Sequence, residues 1–227
     1  MLKQLTLAGW LAMTCCLTAV AQPGGEEYRA GRERYAAGSY AEAAASFEEA
    51  VRLRPEWAAA HNNLAVVYDD LGRYEEALAC YRRALALRPD EAVTHSNLAI
   101  TYRKLGRYDE AIAAARRAIA LRPGLAEAHN NLGVAYRHRR RYREAIASIE
   151  QAIRLKSDFA EAYYNLGLAY LEARDRGAAL EQYAKLRGYD GEMARGLFER
   201  IFAGQVRGGR DSGTKHLPFS ASSAARR

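Results

Sequence analysis

Three histidines, His61, His95 and His129, stand 34 residues apart. A row of imidazoles at a fixed interval is one way to present nitrogen ligands to a metal. Four asparagines keep the same interval: Asn63, Asn97, Asn131 and Asn165. An asparagine amide both donates and accepts, so such a row suits a peptide backbone, whose polar groups are the same whatever its side chains. Three cysteines occur, at Cys15, Cys16 and Cys80. The run Arg137-His138-Arg139-Arg140-Arg141-Tyr142-Arg143 is the densest positive charge. It reads either as a solvated turn or as a dock for an acidic partner, anionic lipid headgroups or an acidic glycan. There is no phosphate-binding glycine loop, no His-Glu-x-x-His and no paired-cysteine metal pattern, and no spacing that argues for a triad or dyad. The chemistry indicated is therefore recognition rather than catalysis, with no cofactor.

The same interval governs the residues that must position these side chains. Arg54-Pro55, Arg88-Pro89 and Arg122-Pro123 repeat every 34 residues. So do Leu64, Leu98, Leu132 and Leu166; Tyr68, Tyr102, Tyr136 and Tyr170; Tyr40, Tyr74, Tyr108 and Tyr142; and Ala43, Ala77, Ala111, Ala145 and Ala179. A fixed period of this size marks stacked supersecondary units. Within one unit Leu64, Val67, Tyr68 and Leu71 form one helical stripe, and Ala77, Tyr81, Ala84 and Leu85 a second. Small residues at Ala65, Ala99, Gly133 and Gly167, with Ala77 and Ala84, let the helices approach closely. Gly72 and Gly106 stand where a first helix would end in the left-handed conformation. Glu75-Glu76 and Asp109-Glu110 suit the positive start of a second helix. The prolines close each unit because they cannot continue a helix. Asp158 and Glu161 have the spacing of a capping box.

These positions resemble the tetratricopeptide repeat, with Leu64, Ala65, Tyr68, Gly72, Ala77, Tyr81, Ala84 and Pro89 supplying its pattern in the second repeat. The resemblance covers roughly residues 26 to 190. It implies an all-α fold, a right-handed α-solenoid of about five repeats with a C-terminal capping helix. The expected organisation is a signal peptide at 1–21 and a repeat domain at 22–190, with repeats near 24–57, 58–91, 92–125, 126–159 and 160–190. A capping helix at 191–203, with Met193, Leu197, Phe198 and Ile201 on one face, and a disordered basic tail at 204–227 complete it. The first repeat is atypical, with Ala30 and Arg34 in place of Leu and Tyr; Arg140 and Arg174 replace the turn glycine in the fourth and fifth.

In this family the first helix of each repeat lines a concave groove, and the asparagine position faces it. The resemblance is strongest to the repeat arm of O-linked N-acetylglucosamine transferases, where an asparagine ladder holds extended peptides. It therefore implies a peptide-binding row of Asn63, Asn97, Asn131 and Asn165, flanked by Asn62, Asn130, Arg103, Lys104 and Arg137. The carboxylate clamp of chaperone-binding members is missing: Tyr28 and Arg32, then Val93 and Asn97, stand at its positions. The histidines occupy a site where the family often has a large aromatic, which implies packing. Geometry agrees, since parallel side chains roughly 10 Å apart cannot converge on a metal that needs nitrogens about 2.0–2.1 Å away.

Hydrophobic residues make up 49% of the chain, ample for a core. The formal net charge is +7. Much of it lies beyond Gly204, where Arg207, Arg210, Lys215, Arg226 and Arg227 oppose Asp211, so the overall charge is weak support for nucleic acid, against which an export signal would also argue. Lys3, the apolar run from Leu5 to Leu17, and Ala19-Val20-Ala21 read as an export signal cleaved before Gln22. Cleavage would remove Cys15 and Cys16, leave Cys80 as an unpaired helix residue, and leave no stable membrane span. The expectation is an exported, periplasmic or secreted non-catalytic scaffold that binds an extended protein segment and assists envelope assembly or secretion. A permanent structural subunit, or a substrate-presenting partner of a separate transferase, are the alternatives.

Overall fold

The computed structural model describes residues 23–208. The expected signal segment, with Cys15 and Cys16, and residues 209–227 of the tail lie outside the described residues. Among the described residues are eleven helices and no strand. They are α1 (Gly25–Ala36), α2 (Tyr40–Leu53), α3 (Ala58–Asp70), α4 (Tyr74–Leu87), α5 (Ala92–Lys104), α6 (Tyr108–Leu121), α7 (Ala126–His138), α8 (Tyr142–Leu155), α9 (Ala160–Glu172), α10 (Arg176–Leu186) and α11 (Gly191–Gly208). The last runs past the expected boundary at 203 into residues assigned to the tail.

The helices form two compact units, one ending at Lys156 and one beginning at Ser157. The first holds α1 to α8, four helix pairs. Each pair closes over small residues that the period places at its crossing point. A Cβ on Gly133 would lie 2.4 Å from Ile149 Cγ1 and 2.9 Å from the Ala145 carbonyl oxygen, and one on Gly31 would lie 2.9 Å from the Phe47 ring. Where the first helix carries glycine, the second fills the space with Phe47 or Ile149, both almost wholly buried. Along the row, α3 contacts α5 and α5 contacts α7, whereas the second helices do not approach one another comparably. The first helices therefore line the inner side of this unit.

The helix ends follow the sequence in part. Gly38, Gly72 and Gly106 end their helices with φ of 78°, 76° and 74°, where glycine meets no Cβ penalty. Arg140 and Arg174 adopt the same left-handed conformation, with φ of 59° and 65°. The fold demands that turn even where glycine is missing. A side chain in this region costs roughly 1–2 kcal/mol, part of which glycine returns through its freer unfolded state. Arg140→Gly is therefore expected to raise stability by about 1 kcal/mol in a denaturant melt.

Arginine marks the start of three second helices in the first unit, and each makes the same clasp. Arg73, Arg107 and Arg141 pair with Glu76, Glu110 and Glu144 three residues on. Each guanidinium also lies over a first-helix tyrosine, 4.2 Å from the centroid of Tyr68, 4.9 Å from Tyr102 and 4.6 Å from Tyr136. The clasp ties the two helices of a repeat across their turn. These pairs are exposed, so their worth lies more in fixing the turn than in bulk stability.

In the second unit α11 packs on both α9 and α10. Leu197 is fully buried, and a Cβ on Gly167 would lie 2.5 Å from its Cδ2. Ala194 and Ile201 are also buried, but Phe198, expected on the covering face, is 41% exposed. One residue beyond Leu197, it is turned about 100° from the buried stripe. There it contacts Tyr183 and Phe202 along the helix edge, with centroids 5.3 Å and 4.4 Å away. The capping box expected of Asp158 and Glu161 does not form. Phe159 takes the N-cap position of α9 and no side chain caps it. Phe159 is 8% exposed: the fold uses that position to bury a ring, and Asp158 falls one residue too early.

Candidate functional site

The first helices position the residues singled out for recognition. In the first unit Asn63, Asn97 and Asn131 lie at one position of α3, α5 and α7, all half-buried. Their amides are not equivalent. Asn63 Nδ2 donates to Tyr28 Oη at 2.9 Å. Asn131 Nδ2 donates to the Ser96 carbonyl at 3.3 Å and to Ser96 Oγ at 3.1 Å. Both bonds reach back 35 residues, one repeat plus one position, and so join consecutive first helices. The residue one repeat plus one position before Asn97 is Asn62, whose Nδ2 turns instead to Asn63 Oδ1 at 3.3 Å and whose own Oδ1 is buried without a partner. The Asn97 side chain makes no hydrogen bond to another described residue. Among the described residues the Asn97 amide and Asn131 Oδ1 thus make no side-chain hydrogen bond, and Asn62 Oδ1 is unsatisfied but closed to solvent. Asn130 is buried on α7, and Asn165 lies on α9 in the second unit.

Two cavities open beside these amides. One of about 310 Å³ is lined by Arg32, Tyr35 and Ala36 of α1, Phe47 of α2, and Asn63, Val66 and Val67 of α3. It is a mainly apolar recess with one amide in its wall. A smaller one of about 160 Å³ brings Asn62 together with Val93 and Thr94 of α5, among others.

The three histidines do other work. The Nε2 atoms of His61, His95 and His129 each lie 2.9 Å from a proline carbonyl oxygen, of Pro55, Pro89 and Pro123. A carbonyl only accepts, so each ring carries its proton on Nε2 and donates. Each histidine thereby ties the loop between two repeats to the following first helix. Tyr163, at the same phase, donates through its hydroxyl to the Ser157 carbonyl at 3.1 Å. Among the described residues no group of three His, Cys, Asp or Glu side chains could hold a metal ion. Cys80 is a free, half-buried thiol. Burial foremost, then the charges of Glu76 and Glu48, push it up to about 11, so it is a thiol rather than a thiolate at neutral pH.

A buried carboxylate lies near the end of α3. Asp69 is 7% exposed. Its Oδ2 accepts from Thr101 Oγ1 at 2.6 Å and from Tyr81 Oη at 3.2 Å, and its Oδ1 is buried without a partner. Burial raises its pKa against the lowering effect of Thr101, Lys104 and Tyr81. Its neighbour Asp70 is exposed and accepts from Tyr35 Oη at 2.7 Å. Burial and that bond push Tyr35 up to about 12.

Arg103 and Lys104 end α5 and Arg137 stands near the end of α7. Lys104 Nζ donates to the Asp69 carbonyl at 3.2 Å and lies 5.2 Å from the Tyr74 ring centroid. Arg103 is half-buried; burial first and then the Arg137 cation hold its pKa below the ordinary guanidinium value. Some of the cations of the basic turn beyond are engaged within the chain. Arg139 pairs with Asp109 at 3.1 Å, Arg141 is held in its clasp by Glu144, and His138 stacks on Tyr108 with ring centroids 4.8 Å apart.

Residues 58–124, 90–158 and 136–192 match tetratricopeptide repeat families, and residues 31–72 match a TPR repeat family. No curated protein matches the sequence. Among solved structures, a thermophilic TPR protein of Thermus thermophilus is similar with a TM-score of 0.68 and 26% identity, over 81% of this chain and 99% of that one. PilW, a type IV pilus biogenesis factor, is similar with a TM-score of 0.70 and 20% identity, over 82% and 93%. YrrB, a TPR protein with an unusual peptide-binding site, is similar with a TM-score of 0.59 and 21% identity, over 83% and 98%. At 20% and 21% identity, PilW and YrrB are likenesses of fold alone.

Proposed function

Because the chain belongs to the tetratricopeptide repeat family, we propose that it is a non-catalytic scaffold that holds an extended segment of a partner protein along its first helices. The observation that carries this reading is the row of amide groups beside an apolar recess. Among the described residues the Asn97 side chain has no hydrogen-bond partner, and the recess beside Asn63 is lined by Val66, Val67 and Phe47. An extended backbone supplies the missing donors and acceptors at fixed intervals, and its side chains fill the recess.

Asn97 gives the test. Asn63 and Asn131 join neighbouring helices, so their removal would disturb the fold as well as the groove. Asn97→Ala removes a side chain that bonds only to a ligand. It is expected to weaken binding of an extended peptide about threefold to tenfold, as one or two hydrogen bonds are lost, with the thermal melt unchanged. The measurement is fluorescence anisotropy with a labelled peptide selected for binding, beside circular dichroism. Unchanged affinity would remove the amide row from the recognition surface.

The reading includes export. The basic start, apolar run and Ala19-Val20-Ala21 act as a signal, the mature chain begins near Gln22, and its partner is a protein of the envelope or of a secretion assembly. N-terminal sequencing of the exported protein checks this: an intact Met1, or lipid on Cys15 or Cys16, would contradict it. Among the described residues no helix is long and apolar enough to cross a membrane.

A further inference from the structure

Charge is distributed unevenly along the inner helices of the first unit. One position of successive first helices holds Tyr35, Asp69, Arg103 and Arg137, and the next holds Ala36, Asp70, Lys104 and His138. Acid falls in the second repeat and base in the third and fourth. The acid is already engaged: Asp69 accepts from Thr101 and Tyr81, and Asp70 from Tyr35. Lys104 donates to the Asp69 carbonyl. Arg103 differs from all of these. It is half-buried, yet among the described residues its guanidinium forms no ion pair and donates no hydrogen bond. Arg137, one repeat on, opposes its charge.

A guanidinium carries five N–H donors in a rigid fork that matches a carboxylate. Half-desolvated beside a second cation, it has no anion bonded to that fork among the described residues, Asp69 favouring its charge without pairing to it. We propose that Arg103, flanked by Lys104 and Arg137, seats an acidic side chain of the bound segment, so that the partner is a protein segment carrying aspartate or glutamate at this point. The proposal rests on the reading of the inner helices as a peptide groove. A single carboxylate fits better than a nucleic acid. A phosphate backbone needs cations along its whole path, and here Asp69 and Asp70 stand one repeat away. The same acids repel a segment shifted by one repeat, so the charge order also sets register.

The test uses the purified chain and three fluorescein-labelled dodecapeptides. Each is leucine-containing and otherwise uncharged, with glutamate, glutamine or lysine at its centre. The glutamate peptide is expected to bind about tenfold more tightly than the glutamine peptide, and the lysine peptide more weakly than either. That advantage should shrink as salt rises to about 0.5 M. Arg103→Gln should make the glutamate and glutamine peptides equivalent in affinity. Arg103→Glu should reverse the preference towards lysine, a gain that a misfolded variant could not show. If all three peptides bind the unaltered chain equally, the acidic seat is wrong and the groove reading stands. If none binds a chain that melts normally, both fall. A single-stranded oligothymidylate that binds through Arg103 and displaces the glutamate peptide would also overturn the proposal, by assigning this surface to nucleic acid.

Discussion

Leu132→Ala is expected to destabilise the first unit by about 2–5 kcal/mol, the range for emptying a packed leucine site. Leu132 is 8% exposed on α7, and its counterparts Leu64 and Leu98 are 3% and 7% exposed. The next residue, Gly133, has no room even for a methyl group against Ile149 and Ala145, so the adjoining backbone contact is already at its limit and offers little slack for collapse. In a repeat array each repeat is stabilised by its neighbours, and α7 packs on α5 and α6 of the preceding repeat, so the loss also weakens that interface. Since whole domains are stable by only about 5–15 kcal/mol, the loss should show as a much lower midpoint in urea. Leu155→Ala is the control. Leu155 is 40% exposed on α8, and its removal is expected to change stability by no more than about 0.5 kcal/mol. Equal effects of the two changes would mean that the apolar phase of the repeats has been misread.

The helices were legible because one period fixes several things together. The leucine, tyrosine and alanine rows set the phase, and Gly72 and Gly106 set the ends. What was not legible came from positions that break the period. Arg140 and Arg174 hold the left-handed turn without glycine; the geometry of the repeat overrides the local preference. Asp158 looks like a cap by spacing alone, but the helix starts one residue later because Phe159 is buried there. Phe198 follows Leu197 in an apolar stretch, and only the packing on α9 and α10 decides which of the two is covered.

The candidate site was legible as a row but not in its bonding. Aligning Asn63, Asn97 and Asn131 puts them in phase without saying what each amide meets. The residues one repeat plus one position back are Tyr28, Asn62 and Ser96, and those three differ in chemistry. Tyr28 and Ser96 accept, whereas Asn62 turns to Asn63. Reading that offset register together with the main one would have found the bonds. The histidine contacts were legible only as packing, since the proline carbonyl that each ring meets is a backbone group.

Asp69→Ala is expected to be the most disruptive change among the inner-row polar residues. Its carboxylate is the acceptor for two hydroxyls that water hardly reaches: Tyr81 is 1% exposed and Thr101 is fully buried. Thr101 also contacts the Asn97 carbonyl at 3.3 Å, so Tyr81 is the group left without any acceptor. An orphaned buried hydroxyl costs about 1–3 kcal/mol, and the emptied space adds to it. Freeing a desolvated carboxylate offsets part of this, so the net loss should be about 2–3 kcal/mol. Asp69→Asn keeps an oxygen for both hydroxyls and is expected to lose less. The two variants also separate packing from charge. Burial raises the Asp69 pKa above its ordinary 3.8. Between those two values the folded chain binds more protons than the unfolded one, so this group's contribution to stability falls as pH rises through that window. The unaltered protein should therefore lose stability relative to Asp69→Asn as pH increases from about 3.8 upward. Urea melts of both proteins across that range measure the difference directly. A difference independent of pH would mean that Asp69 titrates alike in the folded and unfolded chains, and that its carboxylate is hydrated rather than buried between α3, α4 and α5.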